Sequence, residues 1–262
     1  MYKFPTIRRS VFRRATLVLS LIVLAVLCLG ARCIERTHTY VDADGYTHIT
    51  GQMVNDTDIQ ATKMMLQGTL FDANGNVVAQ KTAPTCPPDS QPHSEIAFDI
   101  RFDNPNLPPW TKFDVRPASG ITLPSPLPSS NVVLLLSEAG RFPNLPPIPG
   151  LGITSKDVVL IFRARNQGTA PLAGVQGCAA VYDQSGNITY VQSDEIVEQD
   201  ANGNVGTATL PTTEPEDIFM VARNVPVGPV QIRAWLWFGN KGDPTSAHQW
   251  VSTGLIAIQT FN

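Results

Sequence analysis

A chain of 262 residues that is 43% hydrophobic and 16% charged has material for one large domain or two modest ones. Its net charge of −3 leaves no electrostatic footprint for nucleic acid and excludes a partner held that way. The 22 prolines and 19 glycines argue against a helical protein and suit one of short strands and turns.

Residues 1–33 read as an address. Lys3, Arg8, Arg9, Arg13 and Arg14 form a basic head without an acid, and residues 15–31, ATLVLSLIVLAVLCLGA, carry no charge before Arg32. That pattern predicts a single hydrophobic helix, acting as a transmembrane anchor or a secretory signal. Its length is at the lower limit for a span. No clean small-x-small pair precedes a cleavage point, which favours retention in the membrane over removal. Cys28 and Cys33 stand where a lipidated cysteine would, but Leu27 and Arg32 precede them where a small residue is expected. RRSVFR (8–13) looks like a twin-arginine export signal, or simply holds the N-terminus in the cytoplasm. On every reading the chain from about residue 34 ends outside the cytoplasmic membrane, either anchored or secreted after cleavage.

Residues 34–46 read as a polar stalk. Beyond it one register occurs twice: Asn55, Asp72, Gly75 and Asn76 superpose on Asn166, Asp183, Gly186 and Asn187 at one offset of 111 residues. A shared offset predicts two copies of one domain, over 47–137 and 156–262. In each, a short apolar run closes on Asn (THITGQMVN, VVLIFRARN), and that side chain bonds the backbone of the following loop. MMLQGTLFD and VQGCAAVYD follow, and each leads into Asp-x-x-Gly and a new apolar run, a hairpin signal. SEIAFDIRF (94–102) alternates strictly, and DIFMVARNV (217–225) occupies its place in the second copy. KFDVR (112–116) is matched with VQIRAWLWF (230–238), and VVLLLS (132–137) with WVSTGLIAI (250–258). Half of the prolines lie in residues 103–152, so 138–155 reads as a semi-rigid linker holding the domains apart. No sustained 3.6-residue period follows residue 34. The fold class is all-β.

Both copies resemble the FxLYD domain, an immunoglobulin-like β-sandwich of bacterial and archaeal envelope and secreted proteins. Gly51, Met53, Asn55, Leu70, Phe71, Asp72 and Gly75 carry the resemblance in the first copy; Asn166, Val181, Tyr182, Asp183 and Gly186 carry it in the second. Phe162 stands where the motif has glycine, and Gly68 and Ala179 where it has its leading Phe. The resemblance implies two tandem sandwiches, a surface or export context, and a binding or structural role. It brings no catalytic residue.

Candidate chemistry is sparse. His38 and His48 flank TYVDADGYT, and with Asp42 and Asp44 they invite a metal, but the spacing matches no ligand pattern and DADG is a common turn. DANGN, at 72–76 and 200–204, has its Gly too early for a calcium loop and no Glu at the twelfth position. No Gly-x-Ser-x-Gly occurs. Catalysis, a cofactor and a metal are therefore not expected. Cys86 sits in the loop-like PTCPPD and Cys178 in an apolar run; a bridge between them would have to join the two domains. An exposed thiol and a buried one are expected instead. In VQIRAWLWF, Arg233, Trp235 and Trp237 share the face opposite Ile232, Ala234 and Leu236. That face is either a platform for glycan or partner protein, or is covered by the rest of the chain. The expected protein is a non-catalytic envelope module, bound to the membrane through residues 15–31, with a glycan or an envelope protein as partner.

Overall fold

The computed structural model of the protein describes residues 33–42, 44–122, 131–142, 153–199, 205–225, 227–228, 231–238 and 249–260. The hydrophobic N-terminal helix expected from the sequence lies outside the described residues, as does much of the proline-rich connection. Among the described residues no helix is long and apolar enough to cross a membrane. The protein is all-β, built from curled sheets.

The N-terminal half holds β1 (Cys33–Val41), β2 (Thr47–Val54), β3 (Ala61–Phe71), β4 (Val77–Cys86), β5 (Glu95–Arg101) and β6 (Lys112–Thr122). They form one sheet in the order β1-β2-β5-β4-β3-β6. Strand β4 starts paired to β3 and ends paired to β5, with Thr85 opposite Phe98 and Cys86 opposite Ala97. That change of partner folds the sheet over its own apolar face. Ile49, Met53, Leu66, Leu70, Ile96, Phe98 and Ile100 fill the space between its two parts. The alternation in EIAFDIR supplies the last three, one residue in two.

The C-terminal half holds β7 (Val132–Arg141), β8 (Val158–Asn166), β9 (Leu172–Ala173), β10 (Gln176–Tyr182), β11 (Ile188–Glu195), β12 (Val197–Gln199), β13 (Val205–Thr207), β14 (Thr209–Leu210), β15 (Glu216–Ala222), β16 (Gln231–Phe238), β17 (Gln249–Ser252) and β18 (Ile256–Thr260). Its sheet runs β11-β10-β16-β18-β7-β8-β15-β12-β13; β17 joins β16, and β14 pairs β9 apart from it. Strand β18 is antiparallel to β16 and parallel to β7, and so closes the curl. Leu160, Phe162, Val181, Ile218, Ile232 and Leu236 lie in its core.

The two halves repeat one pairing scheme. β2 pairs β5 as β8 pairs β15, and β3 lies between β4 and β6 as β10 lies between β11 and β16. Two expected boundaries shift. Residues 34–46 are not a stalk: β1 is a strand of the first sheet, tied to β2 by the turn at Asp42–Tyr46. VVLLLS does not close the first half either. β7 pairs β8 antiparallel, as β1 pairs β2, so it opens the second half and is the counterpart of β1, not of 250–258. Its apolar run gives no hint of which neighbour it chooses, because either sheet would accept it.

Nor are the halves held apart. Strand β2 is buried along almost its whole length rather than on alternate residues, and so is β10. A strand buried on both faces has a core on one side and a second layer on the other. For each of these strands that second layer is the opposite half of the molecule.

Candidate functional site

The seam between the halves gathers the residues singled out in the sequence. In β16, Ile232, Ala234 and Leu236 enter the core, while Trp235 stands opposite Cys178 of β10 and Trp237 opposite Gln176. Of the two readings the sequence leaves open for this face, the burial is that of the covered one. Trp235 is 1% exposed and Trp237 7%, in a cluster with Cys86 and Ala97 of the first half and Cys178, Ala180, Tyr182 and Ile188 of the second. An apolar outer sheet face has to be covered, and here the outer face of the first half covers it. Each indole buried this way is worth roughly 5 kcal/mol of transfer free energy. Arg233 Nη1 donates to Glu95 Oε2 of β5 at 2.8 Å, and its guanidinium lies 6.0 Å from the Trp235 ring centroid. The three residues are thus brought together as a joint, not as a ligand face.

Cys86 and Cys178 form a disulfide across this seam, with their Cα atoms 5.7 Å apart and a sequence separation of 92. This corrects the expectation of two free thiols. Cys86 is not in an exposed loop: β4 extends through it, and it is 6% exposed. The internal repeat hid the bond. A bridge repeated within each domain would obey the 111-residue offset, whereas one between domains has no reason to. The usable signal was a pair of cysteines, Cys86 and Cys178, that the repeat leaves unmatched.

Polar groups lock the same interface. Thr50 Oγ1 donates to the Ile188 carbonyl at 2.5 Å, and Gln52 Nε2 donates to the Tyr182 hydroxyl at 2.9 Å. Burial, the largest influence, pushes the Tyr182 phenol up, so it stays protonated and available for bonding. Beyond it on the same face of β2, His48 Nδ1 bonds both oxygens of Asp99 at 2.8 and 3.0 Å, and Nε2 bonds Asp42 Oδ2 at 3.2 Å. A carboxylate oxygen faces each ring nitrogen, an arrangement that favours the doubly protonated, cationic imidazole. Burial opposes that charge, yet the bonds and charges of Asp99 and Asp42 outweigh it and raise the His48 pKa. Asp42 shifts down: its desolvation is overcome by the backbone N–H groups of Tyr46 and Asp44 and by His48. Tyr40 stacks on His48 with centroids 4.5 Å apart. The sequence paired His48 with Asp42 and His38; Asp99, 51 residues further on, was beyond that reading. Among the described residues no group of three or more His, Cys, Asp or Glu is placed to hold a metal.

The motif residues have mechanical roles. Asp72 Oδ1 accepts the backbone N–H groups of Asn74 and Asn76 at 2.8 Å, and Asp183 Oδ1 those of Ser185 and Asn187, also at 2.8 Å. Gly75 and Gly186 follow at φ +84° and +80°, the left-handed region such turns require. The same turn occurs a third time at Asp42, Asp44 and Tyr46. Asn55 and Asn166 are both buried. Asn55 Nδ2 donates to the carbonyls of Ile59 and Gln91, and Asn166 Nδ2 to those of Ala170 and Leu210. Gly51 lies opposite Phe98, and a Cβ there would stand 2.7 Å from the ring; at the matching position Phe162 lies opposite Ile218. The large ring has moved to the neighbouring strand, which explains the missing glycine.

No family model matches the chain, and no curated protein matches it. Among solved structures it is similar to a calcium-binding mutant of β-glucuronidase 2 from Bacteroides uniformis, at 12% identity and TM-score 0.25 over 84% of this chain and 28% of that one. It is also similar to a β-glucuronidase from Bifidobacterium dentium, at 11% identity and TM-score 0.25 over 85% of this chain and 40% of that one. The chain spans less than half the length of either, and overlaps this slight assign it no activity.

Proposed function

We propose that the protein is a non-catalytic module of the bacterial cell envelope: two FxLYD-like, immunoglobulin-like β-sandwiches carried outside the cytoplasmic membrane by residues 15–31 and joined face to face into one stiff spacer or binding unit. The Cys86–Cys178 bond carries this reading. Disulfides persist in oxidising compartments such as the periplasm or cell surface, and a basic head with an apolar run supplies the route there. The second support is His48, whose two nitrogens are both held by carboxylates and so do not serve as a general base. Trp235 and Trp237 bind the other half of this chain, so any partner is met elsewhere on the surface. The full chain, made in a bacterial host, tests the proposal by its thiol state and fractionation. Cys86 and Cys178 should be oxidised and membrane-associated in a normal host, and reduced in one lacking its envelope disulfide-forming enzyme. Cysteines reduced in both hosts would place the protein in the cytoplasm and remove the reading.

A further inference from the structure

Beside the disulfide the seam contains a recess of about 270 Å³. Its lining includes Thr85, Cys86 and Asp99 of the first half and Val191, Ser193 and Trp237 of the second. The two sulfurs are not equivalent with respect to it. Cys86 forms part of the wall and is 6% exposed, whereas Cys178 is 0% exposed and does not line it. Ser193, opposite Cys178 in the β10–β11 register, is exposed and also lines the recess. Displacement at sulfur is in-line: an attacking thiolate approaches the target sulfur along the extension of the S–S axis, away from the sulfur that leaves. A recess that reaches Cys86 and not Cys178 brings an incoming thiol to the Cys86 side of the bond.

We propose that this recess is a thiol-exchange site, at which a small thiol attacks Cys86 Sγ and opens the covalent joint between the halves. In the first step RS⁻ bonds to Cys86 Sγ, the Cys86–Cys178 bond breaks, and its electron pair leaves on Cys178 Sγ, which takes a proton from solvent. A second thiolate attacks the R sulfur of the mixed disulfide, releases Cys86 as a thiolate that is then protonated, and leaves as RSSR. Two thiols are thus oxidised as the protein disulfide is reduced. When protonated, His48 against Asp99 offsets part of the negative charge an incoming thiolate meets. Opening the bond leaves the seam to the Thr50, Gln52 and Arg233 contacts and the buried tryptophans. This inference concerns the chemistry of the bond and not the compartment, so its failure would leave the envelope reading standing.

The test exposes the full chain in detergent to reduced glutathione under native conditions, quenches with acid at short times, alkylates free thiols and maps both cysteines. Glutathione on Cys86 with alkylated Cys178 should exceed the reverse species at least tenfold. Equal amounts, an excess on Cys178, or adducts that form only in denaturant would overturn the proposal. Ser193→Phe places a ring in the lining of the recess from an exposed position and should slow native adduct formation at least tenfold, leaving the rate in denaturant unchanged. An unaltered native rate in that variant would also overturn it.

Discussion

Gln52 and Tyr182 meet across the seam, the amide of one donating to the phenol oxygen of the other at 2.9 Å, and both are almost completely buried. The first belongs to β2 and the second to β10, strands that also carry the cores of their own halves. A single polar contact therefore ties together two units that the sequence presents as separate copies. Removing either partner leaves the other buried and unsatisfied. Gln52→Ala and Tyr182→Phe should each cost about 1–2 kcal/mol. In a double-mutant cycle by urea denaturation the pair should show a coupling of roughly 0.5–3 kcal/mol. Independent halves would show none.

The tryptophan face makes a second prediction, opposite to that of a glycan platform. Trp235→Ala should destabilise the protein by about 3–5 kcal/mol, the usual cost of deleting a large buried ring. With Trp110 and Trp250 replaced by Phe, the emission of Trp235 and Trp237 should resist acrylamide in the native protein and become quenchable on unfolding. Quenching of Trp235 and Trp237 by soluble oligosaccharides is not expected, because the first half already occupies the surface.

Gly51 and Phe98 make the third. A methyl at Gly51 would stand 2.7 Å from the Phe98 ring and 3.1 Å from the Glu35 carbonyl. Gly51→Ala should cost about 1–3 kcal/mol. The second half suggests its own remedy, with the ring on the other strand as Phe162 opposite Ile218. Gly51→Phe combined with Phe98→Ile should therefore be less damaging than the two single changes added together, by at least about 1 kcal/mol.

How far the sequence reaches is clearest at the turns. Asp72, Gly75, Asp183 and Gly186 act within a few residues of themselves, so their spacing alone reveals the hairpins, and the repeat follows from finding them twice. Strand alternation likewise locates each core. What decides the seam is different in kind. The outer face of a sheet looks the same in sequence whether it meets water, a ligand or another layer, and Trp235 and Trp237 fit all three. The bond from Cys86 to Cys178 and the one from His48 to Asp99 are set by how the curled halves meet and fold, which no local pattern encodes. VVLLLS reads as the end of the first half for the same reason: its apolar residues fit either sheet.

His48 gives the pH prediction. Its folded pKa is raised above the ordinary value of about 6.5, so the stability it contributes is complete below that value and is lost as pH rises through the folded one. Asp42 has the opposite sign. Its pKa is lowered from 3.8, so its contribution holds above that value and is lost as pH falls through the depressed one. Thermal unfolding across pH should show the protein most stable in mild acid, with melting temperature declining on the alkaline side. His48→Gln keeps a neutral hydrogen-bonding side chain and should flatten that alkaline decline. A decline of the same size in His48→Gln would assign it to another group.

The central claim is that the halves form one locked unit through Cys86 and Cys178, and mapping of the intact chain tests it most directly. Trypsin cutting after Lys81, Arg101, Arg165 and Arg223 places Cys86 in 82–101 and Cys178 in 166–223. Digestion with free thiols blocked and no reductant should yield these two peptides as one linked species that separates when reduced. Recovery of both peptides unlinked, each carrying the blocking group on its cysteine, would contradict the account.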